Sequence, residues 1–466
     1  MTKAGAGVRQ PRFSMTHRRF ALALVLGASL AGFSAAAAGC GDDEVLKAAD
    51  AGSFEASAVP EGGTMVTPDG GDSSAPSTCG NPTGAPERLL LTANGTSTSE
   101  VVAFNLGTKM VDGRFDFEAG TGQSFSFGTD PYVVEQGGDV VARMNAQRPW
   151  EAVAKWNVAG DDRTDGGPNA QPVSVVVPSC KKGYVLRFES NKIAVIDTNH
   201  TGDAGVPESY IDLSSLVQTD DKDGRVEMTS ALYVPSKKLI YVLLGGWDRN
   251  KVALDGFTAL CATSKPSIIA IDPDTNMVVS LGGTAPGGGI ALVGYSPALG
   301  NALVYDAARD RMLVFNSGCN ADMGGGVAGA VTRRTVDEAN LATKQSKTLL
   351  TVNDLGYPGT LALLDGNRAA LTFFFPNQAF FWDPSAPVLG PEIPGSLDYG
   401  AFAKNGDLVG GRRATIDGGA VIQVRSVPYT SGDGGSLDAA AVQTLGTNPF
   451  TSNSGFVGGA EVWPRP

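Results

Sequence analysis

From Arg88 onward, short apolar runs alternate with turns rich in Gly, Asn, Asp and Pro, and few stretches carry helical spacing. The runs come in sets. Each set opens with two apolar strands joined by a tight turn. Tyr132-Val133-Val134 leads to Val140-Val141-Ala142, and Val175-Val176-Val177 leads to Tyr184-Val185-Leu186. The same pairing joins 231–234 to 240–243, 303–305 to 312–315, 361–364 to 371–373, and 400–402 to 408–409. A third strand follows in every set, at 153–156, 193–196, 268–271, 331–336, 379–382 and 421–424. The turn Asp272-Pro273-Asp274-Thr275-Asn276 then introduces a fourth, Met277-Val278-Val279. Four strands in a unit of roughly 40–70 residues predict an all-β fold, a β-propeller.

The ends supply the count. Leu89-Leu90-Leu91, Val101-Val102-Ala103-Phe104 and Met110-Val111 form a unit without its first strand. Gly459-Ala460-Glu461-Val462-Trp463 is a first strand without the rest. Joined, they make a seventh blade from both termini, and closure removes the open sheet edges. Six or eight blades also fit, because the unit between 245 and 345 is long.

Ahead of the repeat, residues 40–86 are rich in Gly, Ala, Asp, Ser, Pro and Thr. Such a stretch buries too little surface to offset its ordering entropy and reads as a flexible tether. Residues 1–39 hold the basic pair Arg18-Arg19, an apolar stretch from Phe20 to Ala38, and small residues up to Gly39. That order reads as a secretory signal. Cys40 directly behind the small residues resembles a bacterial lipobox, with Ala37 where Leu is usual. The resemblance implies cleavage before Cys40, acylation of its thiol, and anchoring to the cell envelope, periplasmic or at the cell surface. The alternative is ordinary signal cleavage with Cys40 as a bystander. The domain plan is therefore a signal over 1–39, a tether over 40–86 and a propeller over 87–466.

Without residues 1–39 the chain keeps 31 basic and 48 acidic residues, a balance of −17. So acidic a surface repels phosphate backbones and disfavours nucleic acid as a partner. Membrane attachment would come from lipid rather than from a basic patch.

Lys192-Ile193-Ala194-Val195-Ile196-Asp197-Thr198 and Ile268-Ile269-Ala270-Ile271-Asp272 resemble the YVTN-type propeller repeat of bacterial surface proteins. The resemblance implies a ring with two faces and no particular ligand.

In such a ring, the first-to-second and third-to-fourth turns share one face. The second-to-third and inter-blade loops share the other. Cys261 and Cys319 fall in second-to-third loops of adjacent blades four and five, so they are expected to pair. Cys180 sits in a first-to-second turn and Cys79 just before a strand from that face, so Cys79–Cys180 is the second expected pair. No two cysteines have zinc-ligand spacing.

The long loops, 214–228, 244–266 and 317–328, gather on the second-to-third face, where binding groups concentrate. Arg148, Trp150, Trp247, Asp248, Arg249, Asp322 and Tyr357 lie in or near such loops as candidate contacts for a glycan or peptide. Asp220, Asp221, Asp223 and Glu227 around Gly224 are candidate Ca²⁺ ligands, although their spacing is not that of an EF-hand. No other cofactor is suggested.

Catalysis is less supported. Gly294-Tyr295-Ser296-Pro297-Ala298 faintly resembles a nucleophile elbow, but the only His beyond the leader is His200. Ser431-Gly432-Asp433-Gly434-Gly435 resembles the start of an Asp-box, itself a structural turn. The expectation is an envelope lipoprotein whose propeller binds or scaffolds without catalysis, with an envelope protein, peptide or glycan as the candidate partner. The alternatives are a lyase or glycan hydrolase using channel carboxylates, and a structural subunit of an envelope complex.

Overall fold

The computed structural model describes residues 84–463 apart from 95–98, 117–121, 128–129, 161–169, 180, 255–258, 262–264, 301, 375, 394, 396, 417–418, 429–441, 448 and 451–455. Cys40, the signal, almost all of the tether, Cys79, Cys180 and the 431–435 turn lie outside the described residues.

Seven small sheets, antiparallel between successive blade strands, form the ring of a seven-bladed β-propeller. Blade 1 pairs Phe456–Trp463 with Arg88–Asn94, then Ser99–Asn105, then Met110–Asp116. The closing register runs from Arg88 opposite Trp463 to Asn94 opposite Phe456, so strands from both termini share one blade.

The middle strands of a blade pack against neighbouring blades on both faces. They therefore read as continuous apolar runs instead of alternating. Ile268 to Ile271 are all completely buried within Ser267–Asp272. The outermost strand meets solvent, and Met110–Asp116 is correspondingly polar and partly exposed. The apolar clusters sit between blades. One joins Leu90, Val101 and Trp463 of blade 1 to Val133, Ala142 and Met144 of the next blade. Among the described residues no helix is long and apolar enough to cross a membrane.

Two blades depart from the sequence expectation. Blade 2 begins at Gly122–Phe127, before the pair expected to open it. Its strands Asp130–Glu135 and Val140–Met144 are thus second and third, and Ala152–Asn157 is fourth. In blade 5, the stretch expected as third strand, 331–336, is divided. Cys319–Asp322 and Ala328–Thr332 form a separate hairpin inside the second-to-third loop, and the third strand is Thr335–Asn340. Blade 6 has three described strands, Tyr357–Asp365, Arg368–Phe374 and Gln378–Trp382.

The tight-turn face closes on itself from blade to blade. Lys182 Nζ and Tyr184 Oη of blade 3 donate to Pro273 O in the third-to-fourth turn of blade 4, each at 2.9 Å. The Asp272 carboxylate shapes that turn by accepting from Asp274 N at 2.8 Å, and Asn276 takes the positive φ of 57° at its end. Lys237 then reaches Asp310 across the next boundary. The long loops are left at the opposite end of the ring.

Candidate ligand-binding face

On the long-loop face the linker after blade 3, the second-to-third loop of blade 4 and the blade 5 hairpin brace one another. Cys261 and Cys319 are disulfide-bonded, with Cα atoms 4.9 Å apart and a sequence separation of 58. Leu260 and Asn320 form a parallel bridge beside the bond. Leu254 N donates to Gly326 O at 2.8 Å at the hairpin tip. Leu254, Met323 and Val327 are all exposed there, a small apolar point on a stapled loop.

Behind this staple lies a cavity of about 530 Å³ lined by Lys265, Val293, Thr332, Arg333, Thr335, Thr348, Thr351 and Asn353. Lys265 Nζ stands 4.0 Å from the centre of the Tyr295 ring, and the Arg333 guanidinium 4.7 Å from it. Two cations are thus held near one ring, and neither has a carboxylate partner among the described residues. Asp337 sets the rim. It accepts from Val293 N at 3.0 Å, Gly294 N at 2.6 Å, Thr335 Oγ1 at 2.9 Å and Thr348 Oγ1 at 3.1 Å. Burial raises its pKa while these donors oppose the shift.

An acidic cluster flanks the cavity. Asp221 and Asp223 come from the linker between blades 3 and 4, and Asp248 from the second-to-third loop of blade 4. One oxygen from each lies within 4.8 Å of the others. Burial raises the pKa of Asp221 to about 7, and the charges of Asp223 and Asp248 push the same way. Glu227 is completely buried beside them. Its Oε2 accepts from Trp247 N at 3.0 Å, and burial holds its pKa well above the usual range. Arg225 Nη1 and Arg249 Nη1 each lie 2.5 Å from Glu189 Oε2, and the Arg249 charge opposes the upward shift of Glu227. Gln218 couples cluster to cavity. Its Oε1 accepts from Lys265 N at 3.1 Å and its Nε2 donates to Lys265 O. Gly246, at φ +57°, lets the chain pass Lys265, where a Cβ would lie 2.8 Å from Lys265 O.

The residues singled out from sequence are only partly gathered here. Asp248 joins Asp221 and Asp223, whereas Asp220 does not. Trp247 is half-buried, packed 6.3 Å from Phe188, and Arg249 lies over both rings. Asp322 sits in the hairpin, where its Oδ1 accepts from Gly324 N. Tyr357 stands apart, exposed, in a stack with Phe374 and then Tyr399, at 5.6 and 6.1 Å. Arg148 and Trp150 fall on the opposite face, because residues 145–151 connect third and fourth strands of blade 2. Trp150 packs there on Gly113, with Arg88 over its ring.

Lys265, Arg333 and the threonines were not singled out. Their only sequence signal is a Lys and an Arg flanking long loops, which singles out nothing. Ser296 does take a positive φ of 48°, but His200 packs against Trp156, 5.7 Å away, at the boundary of blades 2 and 3. No triad forms among the described residues.

The fold defines the class: a seven-bladed propeller with a braced, charged loop face. No protein-family description matches the sequence, and no curated protein sequence does. The chain is similar in structure to a candidate 6-phosphogluconolactonase of Bacteroides fragilis, at 11% identity over 82% of this chain and 99% of that one, with a TM-score of 0.47. It is similar to the propeller domain of Cps50 (Swd1) from Myceliophteria thermophila, at 12% identity over 71% and 89%, TM-score 0.43. The dihydro-heme d1 dehydrogenase NirN matches at 12% identity over 80% and 74%, TM-score 0.41. None of these likenesses brings a ligand or a reaction to this chain.

Proposed function

We propose that this chain is an exported, lipid-anchored propeller that binds an acidic glycan at its long-loop face and performs no chemistry on it. The leader and Cys40 support the export and anchoring. The cavity beside Tyr295 supports the ligand class. A volume of about 530 Å³ suits a ligand of one to a few sugar rings. Lys265 and Arg333 offer positive charge to a carboxylate or sulfate, and Asn353 adds an amide, while the Thr335 and Thr348 hydroxyls are turned to Asp337. The walls between these groups are largely carbon, from Val293 and the methyl groups of the threonines, a surface on which the face of a sugar ring can pack.

The test is a panel of neutral, uronic-acid-bearing and sulfated oligosaccharides presented to the full chain. The expected result is selective capture of acidic members, weakened at least tenfold by Arg333→Glu. Capture of none, or no effect of Arg333→Glu, overturns the reading. Anchoring is tested separately by palmitate labelling, which Cys40→Ser should abolish. A second reading, docking of an envelope protein, rests on the exposed apolar point of Leu254, Met323 and Val327. Aspartate substitutions there would abolish such docking and leave glycan capture unchanged.

A further inference from the structure

We propose that Asp221, Asp223 and Asp248 hold one divalent cation of the Ca²⁺ type, tying the linker before blade 4 to the loop that carries Lys265. Ca²⁺ takes oxygen ligands at about 2.3–2.6 Å, so oxygens on opposite sides of the ion stand about 4.6–5.2 Å apart. Three carboxylate oxygens mutually within 4.8 Å can all reach one such ion. Mg²⁺, at about 2.0–2.1 Å, needs a tighter octahedron and keeps its waters. The donor set contains no His or Cys, which disfavours zinc.

A cluster of carboxylates alone would not distinguish a site from a solvated acidic surface. Asp248 does. It is completely buried, its Oδ1 accepts from Asn250 N at 2.9 Å, and its Oδ2 has no hydrogen-bond partner. The Lys251 ammonium stands 3.8 Å from Oδ2, beyond hydrogen-bond reach, on a partly exposed side chain. Glu227 adds a second completely buried carboxylate whose Oε1 is also without a hydrogen-bond partner. Burying carboxylate oxygens without hydrogen bonds is costly unless a cation or a proton meets them closely, and Lys251 meets Asp248 only as a long ion pair. The Arg249 guanidinium, bonded to Glu189, favours the ionised form of Glu227 from a distance and leaves Asp248 Oδ2 without a hydrogen bond.

The consequence is structural. Asp221 N donates to Gln218 O at 3.1 Å, and the Gln218 side chain holds the backbone of Lys265 on both sides. A cation at the cluster would therefore fix one wall of the cavity from outside it.

The experiment is calorimetry of the full chain, stripped with a chelator and titrated with CaCl₂, together with its melting temperature in the same buffers. Binding is expected with a Kd of about 10⁻⁵–10⁻³ M, in the sensor-to-extracellular range. The melting temperature should rise, and MgCl₂ should bind at least tenfold more weakly. Asp248→Asn, nearly isosteric, should weaken Ca²⁺ at least tenfold. Absence of both heat and thermal shift with wild type overturns the proposal, as does a folded Asp248→Asn variant with wild-type affinity. Should that variant fail to fold, Tb³⁺ on the wild type replaces it. Emission excited through neighbouring Trp247 and quenched by added Ca²⁺ is expected, and emission that Ca²⁺ leaves unchanged overturns the site. Glycan capture is not part of any readout, so failure of the proposed function leaves this result standing.

Discussion

Arg88 and Trp463 are register partners in blade 1, so strands from the two ends of the described chain lie side by side in one sheet. The Trp463 indole is completely buried and donates from Nε1 to Ala146 O of blade 2 at 3.0 Å. It thus clamps the closing strand to the next blade as well as to its own. Trp463→Ala is expected to cost about 3–5 kcal/mol, from lost burial plus the cavity left behind. Removal of residues 456–466 should abolish cooperative unfolding altogether, because it exposes the edge of Arg88–Asn94. Urea denaturation followed by tryptophan fluorescence reads both. A truncated chain that still unfolds in one sharp transition would mean the ring does not depend on its closing strand.

The disulfide between Cys261 and Cys319 spans 58 residues of sequence. In the chain-entropy picture a loop of that size is worth about 4 kcal/mol. Much of the closed loop lies in blades 4 and 5, which other contacts also order. The Cys261→Ser/Cys319→Ser double variant should therefore melt at lower temperature with its far-ultraviolet circular dichroism unchanged. Acidic-glycan capture should fall too, because Thr332 ends and Arg333 directly follows the hairpin that the bond secures. A variant with wild-type melting would show that the bridge between Leu260 and Asn320 suffices.

What the chain disclosed beforehand follows from how propeller strands are buried. Leu89-Leu90-Leu91 and Ile268 to Ile271 are covered on both faces, so they stand out as unbroken apolar runs. The inner strand Gly122–Phe127 has the sequence Gly-Gln-Ser-Phe-Ser-Phe, with no aliphatic side chain, and carried no such signal. Missing it shifted blade 2 by one strand and put Arg148 and Trp150 on the wrong face. In blade 5 a hairpin inside a loop shows the same apolar texture as a blade strand, so 331–336 merged two elements. The site was legible only within single loops. Asp221 and Asp223 are neighbours in sequence, but Asp248 reaches them through the fold, past Gly245 and Gly246. The cavity draws its residues from four loops and two blade strands, and no local pattern announces such a set.

Glu189 holds two arginines at once, with Arg225 and Arg249 Nη1 both at 2.5 Å and all three side chains about nine-tenths buried. Removing the shared carboxylate leaves two buried guanidinium groups without their nearest negative charge, which is worse than losing one surface ion pair. Glu189→Gln is expected to cost about 3 kcal/mol in urea unfolding. The Glu189→Gln/Arg225→Met double variant should recover part of the loss, since one of the stranded charges is gone. Equal stability of single and double variants would show that the two arginines do not depend on the shared carboxylate.

Asp398, in the linker between blades 6 and 7, makes stability depend on pH. Burial raises its pKa to about 7, although Arg413 N donates to Oδ2 at 2.8 Å and Arg412 and Arg413 lower it. In the unfolded chain an Asp titrates near 3.9. Between those values the unfolded carboxyl is ionised and the folded one keeps its proton. The group therefore contributes stability that is fully present below about pH 4 and lost as pH rises through about 7. A shift of this size corresponds to a few kcal/mol at most. Asp398→Asn keeps an oxygen for Arg413 N and cannot ionise, so its stability should change less between pH 5 and pH 8 than the wild type's. At pH 8 the variant should match or exceed wild type by about 2 kcal/mol, and at pH 5 it should fall below it. Urea unfolding at the two pH values decides the matter. Parallel curves for variant and wild type would place the pH dependence on other buried carboxyls, such as Asp337, and not on Asp398.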